Sequence, residues 1–561
     1  MRVAVEGCSH GELEHIYERV QAREKQDGAF FDVLLLCGDF QAIRNHADLH
    51  SLAVPDKYRQ LGSFWKYYTG QKRAPLLTLV IGGNHEASNY MYELYYGGWL
   101  APNIYFLGEA GCVEVGDLII SGISGIYKKH DYFRGRYERQ PYNKSDLRSI
   151  YHTRMYDIAR LKLLPKADIV ISHDWPNTIE LYGDTQKLIK QKPFFADEIR
   201  THTLGSPPLL ELLQTLKPSL WCSAHLHVRF DATFFHGQQQ PSFPSTSSSS
   251  SSHPGQPVDT AMADPNQISI DDFDDDDDDP PPPPPAPEAS QSVTKDFGDS
   301  EEPLVPITET GTAPPSATAT SAPVQTSGNG QSSAVPTEST TFLALGKCVK
   351  FQTYLEYFDT SRDTSGKLTL SPAKGTESAT EISTQTRPSP TFRFHQPWLH
   401  IVRALHPWLS LSMQQTPLPT AEEVAGRVDE AQDWFRERLL PGAVSGKDEE
   451  EVDGQAQGQQ QHPLDVDRVQ RFVQTAPPPP EESLRMRNLD LRRIPPSPPY
   501  VNPQTAAFCA FVGVDLRINV PVQGPPKLLG TSRVPDFSPP PVSGAVSTSE
   551  SSSVPAPDLK A

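Results

Sequence analysis

The sequence predicts an α/β fold, a layered arrangement of sheet and helix over residues 1–235, on two observations. Short apolar runs rich in Val, Ile and Leu alternate with stretches whose apolar residues recur at helical spacing, the pattern of a sheet with helices packed on it. Five of these runs open into loops that begin with metal-ligating or acid/base side chains. In an open α/β sheet the loops leaving the C-terminal ends of the strands meet in one crevice, so groups far apart in sequence share one site.

The elements follow in order. Residues 3–5 form a strand, after which come Cys8 and His10. Leu13, Ile16, Tyr17 and Val20 then lie on one helical face, predicting a helix over residues 11–23. The run 33–36 is a second strand and leads to Asp39. A helix over 58–68 precedes a strand over 76–81, which leads to Asn84 and His85. Residues 118–123 read as a further strand, 169–171 lead to His173, and 220–221 lead to His225 and His227.

Composition then changes. The 55 prolines and the long Ser, Gln and Asp tracts are concentrated beyond residue 236, so the 561 residues hold about two globular units. Residues 236–340 contain a Ser run, the acidic run 274–279 and the polyproline run 280–285, which is expected to be a disordered insertion. Order is expected again over 341–358, to lapse over the Ser/Thr-rich stretch 359–391, and to return over 392–518. There Trp398, Ile401, Val402, Leu405, Trp408 and Leu409 form an apolar helical face suited to a domain core. Residues 433–440 suggest another helix, 508–514 a buried strand, and 519–561 a disordered tail.

Lys and Arg balance Asp and Glu over residues 1–231, so the formal charge of −19 arises entirely downstream. A near-neutral catalytic half still accommodates an anionic substrate, because local charge governs capture. Cys8, Cys37, Cys112, Cys222, Cys348 and Cys509 lack paired spacing, which argues against a disulfide framework and for a reducing compartment. All but Cys8 read as structural. Glu6, His10, Glu12 and Glu14 occupy the place where a signal peptide is apolar, and no run approaches the ~18 apolar residues of a spanning helix, so no membrane partner is expected.

Imidazole, carboxylate, amide oxygen and thiolate together suit Zn²⁺, Fe²⁺ or Mn²⁺ rather than Ca²⁺ or Mg²⁺. Asp39 is the one carboxylate in the five loops placed to bridge two metals with both oxygens, and such a pair clamps a phosphoryl group. Phosphoester hydrolysis is the reaction implied.

The motifs Gly38-Asp39, Gly83-Asn84-His85-Glu86, His173 and His225-Leu226-His227 resemble those of the metallophosphoesterase superfamily. That superfamily usually opens on Asp-x-His, whereas this chain has Cys8-Ser9-His10. With this Cys, the segments VAVEGCSHGELEHIY, LLLCGDFQAIRN, GGNHEASNYM, ISHDWP and SAHLHVRF are similar to the RNA lariat debranching enzymes. The likeness covers residues 1–235, resumes at FLALGKC, and continues more weakly at IVRALHPWLSL and FVGVD. It implies a metallophosphoesterase sheet-and-helix fold with a smaller C-terminal debranching-type domain packed beside it.

The resemblance further implies one metal pocket of Cys8, His10, Asp39 and His227 and another of Asp39, Asn84, His173 and His225. The thiolate biases the first pocket toward softer ions. His85, left off the metals, is then the general acid for the departing 2′-oxygen at the 2′,5′ branch bond of an intron lariat. Residues 124–154 occupy the place of the family's lariat recognition loop. Within them Lys128, Lys129, Arg134, Arg136 and Arg139 are expected to meet phosphates, while Tyr127, Tyr132, Phe133, Tyr137 and Tyr142 stack on bases of branched RNA. That substrate implies residence in the nucleus, with splicing or intron-turnover proteins as partners through the disordered segments. The Arg485, Arg487, Arg492 and Arg493 cluster fits either an import signal or a solvated basic linker. Two alternatives stay open, a broader metal-dependent phosphodiesterase or nuclease and a non-catalytic scaffold of the same fold.

Overall fold

The computed structural model describes residues 1–237, 338–375, 386–387, 389–439, 462–485 and 490–520. The acidic and polyproline runs, most of the 236–340 insertion, Arg487 and nearly all of the tail lie outside the described residues. In chain order the strands are β1 (Arg2–Glu6), β2 (Val33–Leu36), β3 (Leu77–Val80), β4 (Gly98–Ala101), β5 (Ile104–Phe106), β6 (Ala110–Val115) and β7 (Leu118–Ile123). They continue as β8 (Ile169–Ser172), β9 (Leu220–Ser223), β10 (Phe230–Phe235), β11 (Ser339–Ala344), β12 (Leu355–Arg362), β13 (Leu368–Pro372) and β14 (Phe392–Phe394).

These strands form two sheets of seven. One runs β13-β12-β1-β2-β3-β5-β4 and the other β10-β11-β9-β8-β7-β6-β14. Successive side chains on a strand point to opposite faces. Val3, Val5, Val33, Leu35 and Leu79 therefore pack against Ile120, Ile169, Ile171 and Trp221 of the second sheet. Ala4, Leu34, Leu36 and Val80 pack instead on Leu13, Ile16, Tyr17 and Val20 of the first helix, Leu13–Asp27. Apolar runs without alternation are what strands buried on both faces require.

Each sheet contributes a parallel core. β1, β2 and β3 run parallel in one, and β8 and β9 run parallel in the other. All five strands that feed the predicted ligand loops therefore end at one edge of a two-sheet sandwich, which explains how residues 8 and 227 reach the same place.

The later part of the chain is built into both sheets. β11 lies between β10, its antiparallel neighbour, and β9, to which it runs parallel. β12 pairs antiparallel with β1, and β14 with β6. The described residues up to 519 form one compact unit, and the C-terminal strands complete the two sheets begun by the N-terminal ones.

Several expected elements need correction. The Ser/Thr-rich segment taken as unstructured from residue 359 contains the end of β12 and all of β13. A turn at Asp363, whose Oδ1 accepts from Ser365 N and Lys367 N, closes that hairpin. The strand expected over 508–514 is helix Pro503–Val512, with Pro503 in its first turn, Asn502 accepting from Gln504 N, and Gly513 left-handed at its end. Its apolar residues run almost all round the helix, so no 3.6-residue stripe exists to read. The helix expected over 58–68 shrinks to Phe64–Tyr68, because Gly62 at φ +64° interrupts it. The 433–440 prediction falls at the end of a longer helix, Ala421–Leu439. No helix among the described residues is long and apolar enough to cross a membrane.

Candidate metal centre

The backbone sets the ligand loops before any ligand binds. His10, Asp39, His225 and His227 all have positive φ, at 44°, 48°, 63° and 49°. Non-glycine residues rarely adopt this left-handed region, and such strain concentrates at functional sites. Neighbouring glycines supply room. A Cβ on Gly38 would stand 2.3 Å from His173 Nδ1, and one on Gly83 would stand 2.1 Å from Asp39 Oδ1.

Cys8 Sγ, His10, Asp39 and His227 present ligand atoms that all lie within 4.8 Å of one another. His10 Nε2 faces His227 Nε2 at 3.3 Å and Asp39 Oδ2 at 3.4 Å. On the other side of Asp39, Oδ1 lies 3.3 Å from His173 Nε2, which is 3.1 Å from Asn84 Oδ1. The His225 ring joins this second group, its centroid 5.1 Å from that of His173. The two oxygens of Asp39 thus face different groups.

Several buried partners hold these side chains. His173 Nδ1 donates to Cys37 O at 2.7 Å, which turns Nε2 inward. His225 N–H donates to Cys8 Sγ at 3.1 Å. Glu86 accepts from the backbone N–H groups of Phe40, Gln41 and Gly83, tying the Asp39 loop to the Asn84 loop. Glu6 accepts from Ser9 Oγ at 2.7 Å between Cys8 and His10. Neither carboxylate was singled out from sequence. Glu86 belongs to the Gly-Asn-His-Glu motif, which was a usable signal, whereas nothing but its place at the end of β1 marks Glu6.

The electrostatics favour a cation. Burial drives His225 and His227 down to about 3, and drives His10 well below the usual range, so these rings are neutral and offer lone pairs. Burial pushes the Asp39 carboxyl up, but its imidazole neighbours, His173 foremost, outweigh it and hold it well below the ordinary carboxylate range. Cys8 is pushed up by burial and by Asp39, and only a neighbouring positive charge would reverse that. Asp39 Oδ2 is buried without a hydrogen bond among the described residues. A converging N, N, O and S set with an orphaned carboxylate oxygen fits a borderline transition metal.

His85 stands beside the centre. Its backbone N–H donates to Asp39 Oδ1 at 2.9 Å, its Nε2 lies 3.1 Å from Asn84 Nδ2, and its ring centroid is 5.6 Å from that of His10. His85 Nδ1 has no hydrogen bond among the described residues.

The loop expected to hold RNA divides in two. Tyr127, Tyr132 and Phe133 form an edge-on series of rings with centroids 5.6 and 5.0 Å apart, and Phe133 and Lys129 are exposed. Lys128 is half-buried, and its charge lowers His225. Arg136 is a correction. It is buried between Glu109 Oε2 at 2.7 Å and Asp157 Oδ2 at 2.8 Å, and its role is to fasten the loop, not to meet phosphate. The guanidinium of Arg139 bonds the carbonyls of Arg136, Glu138 and Leu411, and Arg134 pairs with Asp131. Tyr137 and Tyr142 are half-buried. Counting charges along the chain registers the cations but not the carboxylates that fold against them.

Residues 1–229 match the model for calcineurin-like phosphoesterases, and residues 337–517 match the model for the lariat debranching enzyme C-terminal domain. A lariat debranching enzyme of Schizosaccharomyces pombe is 35% identical over 536 residues, 95% of this chain and 100% of that protein. One from Arabidopsis thaliana is 55% identical over 238 residues, 42% of this chain and 57% of the relative. One from Homo sapiens is 56% identical over 237 residues, 42% of this chain and 44% of the relative. In these last two pairs the match spans about half the relative's length. With end-to-end similarity to one such protein and a family model at each end, the chain belongs to the lariat debranching enzyme family.

Proposed function

We propose that the chain is a metal-dependent phosphodiesterase that hydrolyses the 2′,5′-phosphodiester at the branch point of intron lariat RNA. The observation that carries this reading is the complete ligand constellation, with Cys8 in the position of the superfamily's usual aspartate, in a member of this family. Cys8, His10, Asp39 and His227 would hold one divalent ion, and Asp39, Asn84, His173 and His225 a second. Fe²⁺, Zn²⁺ and Mn²⁺ are the candidates by donor chemistry. Such ions supply Lewis acidity toward the phosphoryl group and a lowered pKa for the attacking water.

The chain's own groups do the rest. Asp39 sets the separation of the two pockets. The His85 ring, beside the centre and outside both ligand sets, is the group that would protonate the departing 2′-oxygen, passing from imidazolium to neutral imidazole as it does so. Tyr127, Lys128, Lys129 and Phe133 face RNA, while Arg136 holds their loop in place. Nuclear residence and contact with splicing or intron-turnover proteins follow from this substrate.

The test is incubation of the protein with a 2′,5′-branched RNA and a matched linear RNA, with each metal and with chelator. Metal-dependent cleavage confined to the branch bond is expected. Equal cleavage of both RNAs replaces this reading with a general phosphodiesterase, and binding without cleavage under every metal replaces it with a scaffold.

A further inference from the structure

Residues 346–353 form a tight loop whose main chain is fastened to the metal centre. Cys8 N–H donates to Gly346 O at 3.2 Å, Cys348 N–H to Cys8 O at 3.0 Å, and Gly7 N–H to Tyr354 O at 3.0 Å. The base is closed by Gly346 N–H donating to Thr353 O at 2.9 Å, and Lys347 N–H donates to Gln352 Oε1 at 2.8 Å. Contact here is close, since a Cβ on Gly7 would stand 2.3 Å from Gly346 O.

This rigid frame presents an apolar ring to solvent. Phe351 is 105% exposed and sits at φ +69°, a left-handed backbone that a bulky residue adopts only when its surroundings force it. Val349, 41% exposed, lies two residues away, and exposed Lys350 separates them. Lys347 pairs with Cys8 in a parallel bridge. Paired residues of a ladder send their side chains to the same face, so Lys347 leaves the backbone on the side of the Cys8 thiol. Its charge is accordingly felt at His10 and His227.

We propose that residues 347–351 are a platform for one single-stranded RNA arm beside the scissile phosphate, with Phe351 stacking on an unpaired base and Lys347 and Lys350 contacting the flanking phosphates. The inference rests on the proposed RNA substrate. A projecting aromatic ring beside cations is the equipment of single-strand binding, because every base offers a π-face and every nucleotide a charge. One ring and two lysines are too small for a stable protein interface, which buries about 800 Å² per partner. The platform also adjoins the pocket where a phosphodiester would lie. It is separate from the aromatic series Tyr127, Tyr132 and Phe133, whose loop is fastened to the Ser410 and Met413 carbonyls.

The test measures affinity of the full chain for a labelled 2′,5′-branched RNA and for a linear single-stranded RNA, by fluorescence anisotropy over a salt series. Phe351→Ala is expected to weaken binding about tenfold, and Phe351→Trp to restore it, because stacking tolerates either ring. Lys350→Ala is expected to weaken binding and to flatten its salt dependence by about one ion. Both side chains are solvent-exposed, so thermal midpoints should match the parent and a folding defect would be visible. Parent-like affinity of Phe351→Ala for both RNAs overturns the platform and turns the loop into a candidate protein contact. A loss in Phe351→Ala that Trp does not restore overturns stacking as its basis. Affinity is read apart from turnover, so a chain that binds these RNAs yet leaves the branch bond intact defeats the proposed activity and leaves the platform standing.

Discussion

Asp39 joins the two halves of the site, with Oδ2 toward His10 and Oδ1 toward His173. Asp39→Asn removes one charge and one lone-pair face, and metal analysis after dialysis should find both pockets depleted, with turnover lost alongside. His85→Ala should behave differently. Bound metal should stay near the parent level while branch cleavage slows by ~10²-fold or more, as for loss of a general acid; an unchanged rate would take His85 out of the mechanism. Gly83→Ala places a Cβ 2.1 Å from Asp39 Oδ1, so metal content should fall although no ligand is altered. At this scale the sequence was informative about which side chains follow a strand into the shared crevice, as Cys8, Asp39, His173 and His225 do. It was blind to Arg136, because an arginine in a basic aromatic loop looks the same whether it faces phosphate or the Asp157 carboxylate. Glu6 escaped for the converse reason, since a carboxylate at a strand end carries no mark of the Ser9 hydroxyl it accepts from.

Elements stand or fall on partners distant in sequence. The 124–154 loop is held by the Arg136 pairs with Glu109 and Asp157, all three nearly inaccessible. Arg136→Met leaves buried Glu109 without its ion-pair partner and Asp157 with Arg160 alone, and should cost ~3–5 kcal/mol, read as a drop in unfolding midpoint. At the end of helix Gln396–Leu405, burial drives His406 down to about 3, with Arg517 adding to the effect, while its Nδ1 lies 3.0 Å from the Tyr96 hydroxyl. Above pH 6.5 the ring is neutral folded or unfolded. As pH falls from 6.5 toward 3 the unfolded chain takes up a proton that the native ring refuses, so stability is lost. Denaturant unfolding between pH 7 and 5 should show His406→Gln falling less steeply than the parent, by up to ~1.4 kcal/mol per pH unit. Element type was legible where periodicity was clean, as in Leu13, Ile16, Tyr17 and Val20. It failed for helix Pro503–Val512, whose apolar residues encircle it, and for β13, whose Thr and Ser residues resemble linker until β12 pairs with them.

Across the whole molecule, the insertion after β10 enters and leaves at one point. Phe235 pairs with Ser339, and His236 N–H donates to Glu338 O at 2.8 Å, so the flanking strands meet as a hairpin. Replacing residues 238–337 with a short turn should leave both the unfolding midpoint and branch cleavage close to the parent, because loop closure depends only weakly on length. Ending the chain at residue 235 should instead give insoluble protein, since β9 and β1 each lose a neighbour. That a C-terminal segment would complete the sheets was not legible, because strand pairing across a hundred residues or more leaves no local pattern.

The pairing of β1 with β12 also bears on how the protein is made. When Arg2 leaves the ribosome, its partner Asp359 is still hundreds of codons from synthesis. At about 5–20 residues per second the β1 edge waits on the order of 20–70 s as an open template, long enough for a nascent-chain chaperone to be the first thing that covers it.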